Sequence, residues 1–362
     1  MLSILFSVGK LSINFSISIN LIKRISFLTH QHHSFIRYAP HSGMQYVGYA
    51  ELAAAVSNAG GLGTISALTQ KVPENLKAEI RKYKALSKKP FAVNFTILPA
   101  MVTPNYQEMV QAAIDEGVKI IQTAGRSPDS IKLADGRNLM QMMKEANLLV
   151  IHKCMSVRHA LTAERIGVDC ISLGGFDYGG HSGNDGVTHW VHAPTAARKL
   201  KIPYLIAGGT TVGDQLAGAL AMGASGVEIG TGFMATKESS IHQKMKERIA
   251  DPQTDERSTI LILQSVNNTG RFYKNPVTSK VAEIEQATPG DFSKIAHLMT
   301  GKRNLESLQV TGDPDNSAWT MGMGAGLING IPTVEEFITE MVNKAEETIK
   351  SQMNLIVGGS RL

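Results

Sequence analysis

One histidine, His181, lies in a stretch of the chain that is rich in glycine. Residues 174–192 read GGFDYGGHSGNDGVTHWVH, and Gly179 and Gly180 directly precede the histidine. Glycine clusters mark sharp turns, or places where a ligand approaches the backbone closely. Histidine side chains ordinarily titrate near neutral pH, so an accessible imidazole in such a loop can move a proton during catalysis. The stretch predicts a catalytic His181, and a purely structural histidine is the alternative.

A lysine, Lys153, ends the apolar run LLVIHK (148–153). A cation in a buried strand is costly unless an anion lies beside it. Two kinds of partner fit this position. One is the anionic part of a reduced flavin, and the other is a carboxylate of the same protein.

Two further glycine-rich turns, AGGT (207–210) and GTGF (230–233), each lie between an apolar run and a helical stretch. Backbone N–H groups at such turns bind phosphate, and barrel enzymes commonly hold a phosphate after their seventh and eighth strands. The turns predict a phosphorylated cofactor held by Gly208, Gly209, Gly230 and Thr231. Ordinary tight turns are the alternative.

These residues follow short apolar runs that alternate with amphipathic stretches. Runs of this kind are typical of parallel strands that are buried on both faces. Helices are expected near 51–60, 73–85, 105–115, 128–146, 156–166, 192–200 and 212–222. The predicted strands are LGTIS (62–66), FAVNF (91–95), VKIIQ (118–122), LLVIHK (148–153), VDCISL (168–173), PYLIA (203–207) and GVEIG (226–230).

An eighth strand, ending near residues 42–45, gives eight βα units and favours a TIM (β/α)8 barrel of the α/β class. A doubly wound sheet is disfavoured, because AGGLG (59–63) follows a helix and therefore caps it. MGMGAG (321–326) lacks the strand and helix of a dinucleotide site and is interpreted as structural. Pro40 lies in the expected first strand, which it shortens or displaces.

The barrel is expected to span residues 39–238 together with 318–358. Residues 239–317 contain helical and polar segments without a clear strand, which predicts a small helical subdomain after the eighth strand. A C-terminal amphipathic helix is expected over residues 326–353. Residues 1–38 form an N-terminal extension, either a transit peptide or disordered.

Composition narrows the function classes. The chain has 362 residues, 43% of them hydrophobic, and a formal net charge of +5. Four of these positive charges belong to Lys10, Lys23, Arg24 and Arg37, so the rest of the chain is nearly neutral and carries no basic stripe for nucleic acid.

The two cysteines, Cys154 and Cys170, fall in predicted buried strands, which argues against a disulfide framework. The apolar N-terminal run is too interrupted for a membrane span.

A metal site is not expected. His189 and His192 lie near His181, and His30, His32 and His33 occur in the extension. No carboxylate or cysteine completes a ligand spacing in either group.

The combination of motifs resembles the nitronate monooxygenases, formerly 2-nitropropane dioxygenases, which are FMN-dependent TIM-barrel enzymes. The likeness extends from about Ser42 to about Met353. Ser42 itself stands where the family has glycine. The motifs that carry it are GMQYVGYAELAAAVSNAGGLGTISALTQ (43–70), VNFTILP (93–99), VIHKC (150–154), GGHSG (179–183), IAGG (206–209) and IGTGFMAT (229–236).

The resemblance implies a set of FMN contacts and a catalytic histidine, His181. In the family, this histidine takes a proton from a nitroalkane or orients a nitronate, and a carbonyl compound and nitrite are formed with O2. The implied FMN contacts are Gly43, Met44, Asn94, Lys153, Gly175, Gly180, Gly208, Gly209, Gly230 and Thr231.

Three functions remain open at this level. The first is an FMN-dependent nitronate monooxygenase that uses O2. The second is an FMN-dependent NADH:quinone reductase on the same barrel, to which GMQYVG (43–48) and VIHKC (150–154) are similar. The third is a flavin-free pseudoenzyme. The expected location is cytoplasmic, or mitochondrial if the extension is a transit peptide.

Overall fold

The computed structural model describes residues 43–97 and 104–359 of the chain, with side chains up to Met353. The predicted N-terminal extension and the predicted first strand lie outside the described residues. None of the helices in the described part is long and apolar enough to cross a membrane.

All seven strands predicted between residues 62 and 230 are confirmed. Each matches its apolar run to within a few residues, because burial on both faces leaves a local signature in the sequence. They are β1 (Gly63–Ser66), β2 (Phe91–Ile97), β3 (Ile120–Gly125), β4 (Leu149–Cys154), β5 (Cys170–Gly174), β6 (Tyr204–Ala207) and β7 (Val227–Glu228).

The seven strands form one parallel sheet in the order β1-β2-β3-β4-β5-β6-β7. Asn94 in β2 is aligned with Gln122 in β3, and Lys153 in β4 is aligned with Ser172 in β5. The strand order of a doubly wound sheet reverses at a switch point, whereas this order runs in one direction only. The sheet is therefore of the α/β class with barrel-like connectivity.

Helices connect consecutive strands and cover the outer face of the sheet. Local signals explain where several begin: Pro73 stands in the first turn of its helix, Asn138 forms a capping box with Gln141, and the Ser156 side chain accepts from the His159 N–H. These helices are α1 (Ala50–Asn58), α2 (Ala67–Gln70), α3 (Pro73–Leu86), α4 (Tyr106–Asp115), α5 (Leu139–Glu145), α6 (Val157–Arg165), α7 (His189–Lys199) and α8 (Gly213–Ala221).

The predicted helix over 128–146 is too long. Pro128–Ser130 forms a single 3-10 turn, and α5 begins only at Leu139. Between them Gly136 adopts a positive φ of 86°, which ends any continuous helix.

The sheet curls so that distant strands face each other. Gln122 Nε2 in β3 donates to Glu228 Oε2 in β7 over 2.8 Å. In a flat sheet these strands would be about 19 Å apart, since neighbouring strands are about 4.8 Å apart. The concave side contains a small apolar cluster formed by Leu62, Ala92, Ile120, Ile151, Cys170 and Leu205.

The segment after β7 is not purely helical, so that expectation is wrong. Thr259–Ile262 (β8) and Gly270–Tyr273 (β9) form an antiparallel hairpin with its own small core around Ile262 and Phe272. Each of these strands has only four residues and is flanked by polar residues, so its pattern is too short to predict a strand from the sequence. The helices of this segment are α9 (Thr231–Met234), α10 (Gln243–Ile249), α11 (Pro276–Ala287) and α12 (Gly301–Glu306).

The C-terminal helix, α13 (Val334–Gly359), begins later than expected, after Pro332. Residues 326 and 327 instead end a 3-10 turn (Met323–Leu327), and residues 328–333 form a loop. α13 packs on both α8 and α1, which precede the last and the first described strand of the sheet. A side chain at Gly213 would lie 2.3 Å from the Met341 carbonyl oxygen, so glycine is required for this contact.

Candidate functional site

A cavity of about 700 Å³ opens at the carboxyl ends of the strands. Nine predicted site residues line it, whereas Asn94 and Gly175 are not among the described residues that do so. Loops from one end of the curled sheet converge there, as parallel barrel-like sheets require. The nine are Gly43, Met44, Lys153, Gly180, His181, Gly208, Gly209, Gly230 and Thr231.

Lys153 is paired with a carboxylate of the protein itself. Its Nζ lies 2.6 Å from Glu228 Oε1, and the two side chains are 4% and 0% exposed. Burial alone lowers the pKa of Lys153, but the charge of Glu228, with a contribution from Tyr178, more than offsets this and leaves the pKa raised. The barrel carboxylate is thus the partner, and an anionic cofactor is not needed to explain the buried lysine.

A chain of hydrogen bonds extends this pair across the sheet. Gln122 donates to Glu228, and Gln122 Oε1 accepts from Asn94 Nδ2 over 3.1 Å and from the Gly43 N–H over 3.2 Å. Asn94 is 1% exposed and lies beneath Gly43, where a Cβ would approach the Asn94 side chain to 2.2 Å. Asn94 therefore supports the floor of the cavity.

The ring of His181 is exposed, lines the cavity and is held at one nitrogen. Nδ1 lies 3.2 Å from the carbonyl oxygen of Asn268, which is 87 residues away in the chain. A carbonyl only accepts, so Nδ1 carries the hydrogen and Nε2 of the neutral ring keeps a free lone pair. This tautomer follows from the hydrogen-bond network, and it suits a base.

The hairpin that supplies Asn268 is anchored to the loop that carries His181. Gly180 and Arg271 exchange backbone hydrogen bonds of 2.9 and 2.7 Å. The Arg271 guanidinium donates twice to the Phe176 carbonyl oxygen, and it lies 4.5 Å from the centre of the Phe176 ring. Arg271 is 4% exposed, so these contacts fix the hairpin against residues 176–181.

The glycine turn after β6 allows backbone segments to approach closely. Gly208 and Gly209 have φ of 99° and 70°, and a Cβ on Gly209 would lie 1.8 Å from Asp177 Oδ2. A Cβ on Gly324 would lie 2.2 Å from the Gly209 carbonyl oxygen. MGMGAG (321–326) is thus a close-packed structural segment that also lines the cavity through Gly322 and Gly324.

The turn after β7 is held by the same segment. Gly230 is the N-cap of α9, and Thr231 Oγ1 accepts from the Gly322 N–H over 3.0 Å. Gly208, Gly209, Gly230 and Thr231 therefore line the cavity together with Gly322 and Gly324.

Gly175, His189 and His192 have structural roles next to the site. A Cβ at Gly175 would lie 2.8 Å from the His189 ring, so glycine makes room for that imidazole. His189 Nε2 contacts the Ala207 carbonyl oxygen at 2.9 Å, and His192 Nδ1 contacts the Gly174 carbonyl oxygen at 3.0 Å. Both rings join α7 to the ends of β5 and β6. Within the described residues no group of histidine, cysteine or acidic side chains could hold a metal ion.

A buried histidine, His152, also lines the cavity. His152 Nδ1 lies 2.8 Å from Thr123 Oγ1, and burial lowers the pKa of His152 to about 4. The neutral ring is thus the stable form at neutral pH. Burial also raises the pKa of Cys154 and of Cys170 to about 12, so both free thiols are unreactive.

Sequence reasoning missed Glu228, Tyr178, Asn268 and Arg271. A signal existed for Glu228, because it is an acid inside an apolar strand just as Lys153 is a base inside one, and two such charges are most cheaply buried together. For Asn268 no signal existed, since its backbone carbonyl makes the contact and any residue supplies one.

Comparison with known proteins agrees with this architecture. The sequence pattern of one family, nitronate monooxygenase, matches residues 26–344. A "(3aS,4S,5R,7aS)-5-hydroxy-7a-methyl-1-oxo-octahydro-1H-indene-4-carboxyl-CoA dehydrogenase" of Mycobacterium tuberculosis is 35% identical over 87% of this chain and 94% of its own length. A nitronate monooxygenase of Paraburkholderia phytofirmans is 24% identical over 86% of this chain and 92% of its own.

Solved structures show the same fold. FabK from Thermotoga maritima superposes with a TM-score of 0.80 and 29% identity, covering 92% of this chain and 98% of that one. A nitroalkane oxidase from Streptomyces ansochromogenes superposes with a TM-score of 0.76 and 21% identity, covering 91% of this chain and 99% of that one. The second likeness concerns the fold alone.

Proposed function

The chain belongs to the nitronate monooxygenase family and is an oxidoreductase of that kind, and from this premise we propose that it is an FMN-dependent nitronate monooxygenase. The proposed reaction oxidises an alkyl nitronate or nitroalkane with O2 to a carbonyl compound and nitrite. The observation that carries the proposal is the His181 Nδ1 contact with the Asn268 carbonyl oxygen, because it leaves Nε2 free to take a proton in the cavity that Lys153 also lines.

The residues present fit FMN. A cavity of about 700 Å³ is within the usual range for cofactor and ligand sites, roughly 300 to 1,000 Å³. The turns at Gly208, Gly209 and Gly230 offer backbone N–H groups of the kind that bind phosphate, and the buried Lys153–Glu228 pair lines the same cavity. Bound FMN supplies a two-electron acceptor that O2 can reoxidise.

We assign the phosphate end to Gly208, Gly209, Gly230 and Thr231, and the ring end to Gly43, Met44, Lys153 and Gly180. Asn94 and Gly175 do not line the cavity but support residues near it. The Asn94 side chain packs under Gly43, and the absence of a side chain at Gly175 leaves space for the His189 ring. Lys153 is already neutralised by Glu228, so the pair places no net charge beside a ligand in the cavity.

His181 removes the proton from the carbon beside the nitro group of a neutral substrate. The imidazole takes it at Nε2, and the Asn268 carbonyl oxygen holds Nδ1–H and so stabilises the imidazolium that forms. Arg271 keeps the hairpin against the loop of His181, which holds the Asn268 carbonyl oxygen beside the ring.

A closed eight-stranded barrel is part of the proposal. The eighth strand would come from residues before Gly43 and fill the gap between β1 and β7, which α13 already spans by packing on α1 and α8. The proposed units are the barrel, residues 39–238 with 318–358, and the appended subdomain, residues 239–317.

The first test is the absorption spectrum of the purified protein, followed by anaerobic mixing. Bound FMN is expected to give a yellow protein that ethylnitronate bleaches and O2 restores, with release of nitrite. A colourless protein that takes up no FMN would indicate the flavin-free alternative. Bleaching by NADH but not by the nitronate would indicate the NADH:quinone reductase instead.

A second candidate is the dehydrogenation of a carboxyl-CoA thioester. It is favoured by the identities, since the dehydrogenase relative is 35% identical and the Paraburkholderia nitronate monooxygenase 24%. The same site suits it, because a proton beside a thioester carbonyl is also acidic. Anaerobic bleaching by an acyl-CoA, but not by ethylnitronate, would select this function.

A further inference from the structure

Tyr178 lies beside the buried Lys153–Glu228 pair at the wall of the cavity. Its Oη is 3.3 Å from Lys153 Nζ, and its half-buried side chain lines the cavity three residues before His181. Lys153 Nζ is simultaneously 2.6 Å from Glu228 Oε1. The phenol and the carboxylate thus both contact the Lys153 ammonium group, and all three residues line the cavity.

The direction of the Tyr178 hydrogen bond is fixed by chemistry. An ammonium group has three donors and no acceptor, so Tyr178 Oη accepts from Lys153. The phenolic hydrogen must then point elsewhere. Among the described residues no acceptor takes it, so this O–H donor is free for a molecule in the cavity.

Lys153 remains charged in this position because Glu228 faces it, as the raised pKa of the lysine indicates. A cation on the oxygen side of a phenol draws electron density from it and strengthens its O–H as a donor. The donor is also held in place, since the Tyr178 N–H bonds to the Gly175 carbonyl oxygen and the Tyr178 Cα lies where a Gly208 side chain would be.

The geometry points to Tyr178 as a catalytic residue that stabilises the oxygen on which negative charge appears when His181 deprotonates the substrate. This rests on the proposed function and adds the group that recognises the product of proton removal. Oriented donors at a developing oxyanion typically contribute about 10²- to 10³-fold to the rate.

The step balances without an oxidant. The C–H bond breaks and the proton goes to His181 Nε2. The electron pair of that bond becomes the carbon–nitrogen double bond of the nitronate, and a nitrogen–oxygen π pair moves onto oxygen. Tyr178 keeps its proton and donates a hydrogen bond to that oxygen. A thioester forms an enolate by the same movement of electrons, so the substrate class is any carbon acid whose charge is delocalised onto oxygen.

The test uses the flavin-loaded enzyme and the variant Tyr178→Phe, which keeps the ring and removes only the hydroxyl. Under anaerobic conditions in D2O, the wild type is expected to exchange the acidic hydrogen of nitroethane for deuterium, and the variant to do so at least about 30-fold more slowly. Oxidation of preformed ethylnitronate, which needs no deprotonation, is expected to fall by a clearly smaller factor. The matched control Tyr204→Phe removes a phenol that donates to the Ala193 and Met222 carbonyl oxygens.

The outcomes separate this inference from the function on which it rests. If the wild type neither exchanges nitroethane nor oxidises ethylnitronate, the proposed function fails and the role of Tyr178 fails with it. If the wild type does both and Tyr178→Phe matches it or the control, the function stands and the role of Tyr178 is wrong. An equal loss on both substrates with a shifted flavin potential would also overturn it, because the hydroxyl would then serve the cofactor.

Discussion

Lys153 Nζ lies 2.6 Å from Glu228 Oε1, although two further strands separate β4 from β7 within the sheet. In a flat sheet these residues would be about 14 Å apart, since neighbouring strands are about 4.8 Å apart. The pair is therefore a consequence of the curl, and it places a neutral but strongly polar group at the floor of the cavity.

Breaking the pair on one side is expected to be costly. Lys153→Met leaves Glu228 buried without its cation, which should lower the free energy of unfolding by about 3 to 5 kcal/mol and weaken FMN retention. The double variant Lys153→Met with Glu228→Gln should recover much of the stability but not the FMN affinity. Urea denaturation and flavin titration measure the two effects.

A surface pair provides the comparison for that experiment. Lys280 and Glu283 are 3.0 Å apart but more than 60% exposed, and Lys280→Met should change the stability by less than about 1 kcal/mol. A Lys153→Met enzyme as stable as this control would show that the buried pair matters little.

His181→Asn tests the proposed base. The variant should retain flavin and lose about 10²- to 10⁴-fold in the rate with neutral nitroethane, because proton removal loses its acceptor. The rate with preformed ethylnitronate should fall much less. Stopped-flow reduction of the flavin measures both.

His242 is a suitable control histidine for this comparison. It lies outside the residues that line the cavity, and its Nδ1 accepts from the Lys244 N–H at the start of α10. Asparagine can make the same cap, so His242→Asn should leave both rates unchanged. Equal slowing of both substrates by His181→Asn would argue against a role as base.

Arg271→Met should loosen the hairpin over the cavity. The change removes two hydrogen bonds to the Phe176 carbonyl oxygen and one to Thr259 Oγ1, so we expect a stability loss of about 1 to 3 kcal/mol, a higher KM and faster proteolysis within residues 263–269. Limited proteolysis and steady-state kinetics are the measurements. Arg257→Met is the control, because the Arg257 side chain is 87% exposed. Identical cleavage patterns in the two variants would contradict the anchoring role.

Gly324→Ala should damage the phosphate end of the cavity. The added methyl group would lie 2.2 Å from the Gly209 carbonyl oxygen, and relief of such a contact typically costs about 1 to 3 kcal/mol. FMN retention should fall with it, measured by flavin released on gel filtration. Gly218→Ala has nothing within 4 Å of its new methyl group and should be neutral or stabilising, as alanine usually is within a helix. Unchanged flavin retention in Gly324→Ala would show that the contact between Gly324 and Gly209 is not needed to hold the phosphate.

Stability should decrease in acid as His152 is forced to take a proton. Burial lowers its pKa to about 4 from an ordinary value near 6.5, so below pH 6.5 the unfolded chain binds a proton that the folded chain rejects. At about 1.4 kcal/mol per pKa unit, the folded state should lose on the order of 3 kcal/mol between pH 6.5 and pH 4. His152→Gln should flatten this part of a plot of unfolding free energy against pH. A plot with the same slope in wild type and variant would assign the acid sensitivity elsewhere.

The sequence was sufficient for the order of the seven strands and for the turns after them. Apolar runs such as VKIIQ (118–122) and glycines such as Gly208 and Gly209 report local requirements, namely burial on both faces and positive φ, and these act over a few residues. The same runs concealed polar residues within them: Gln122 and Glu228 are fully buried and hydrogen-bonded to each other.

The tertiary structure alone decided what these residues meet. Lys153 has Glu228 as its counter-charge, His181 has its tautomer set by a carbonyl 87 residues away, and the Tyr178 hydroxyl oxygen accepts from the Lys153 ammonium group. Each contact joins segments that lie far apart in the chain, and it exists because the curled sheet and the added hairpin bring them together. These contacts depend on the whole fold, so they cannot be predicted from the pattern of neighbouring residues. Strands and turns can be predicted in this way, because the preferences that form them act over a few residues.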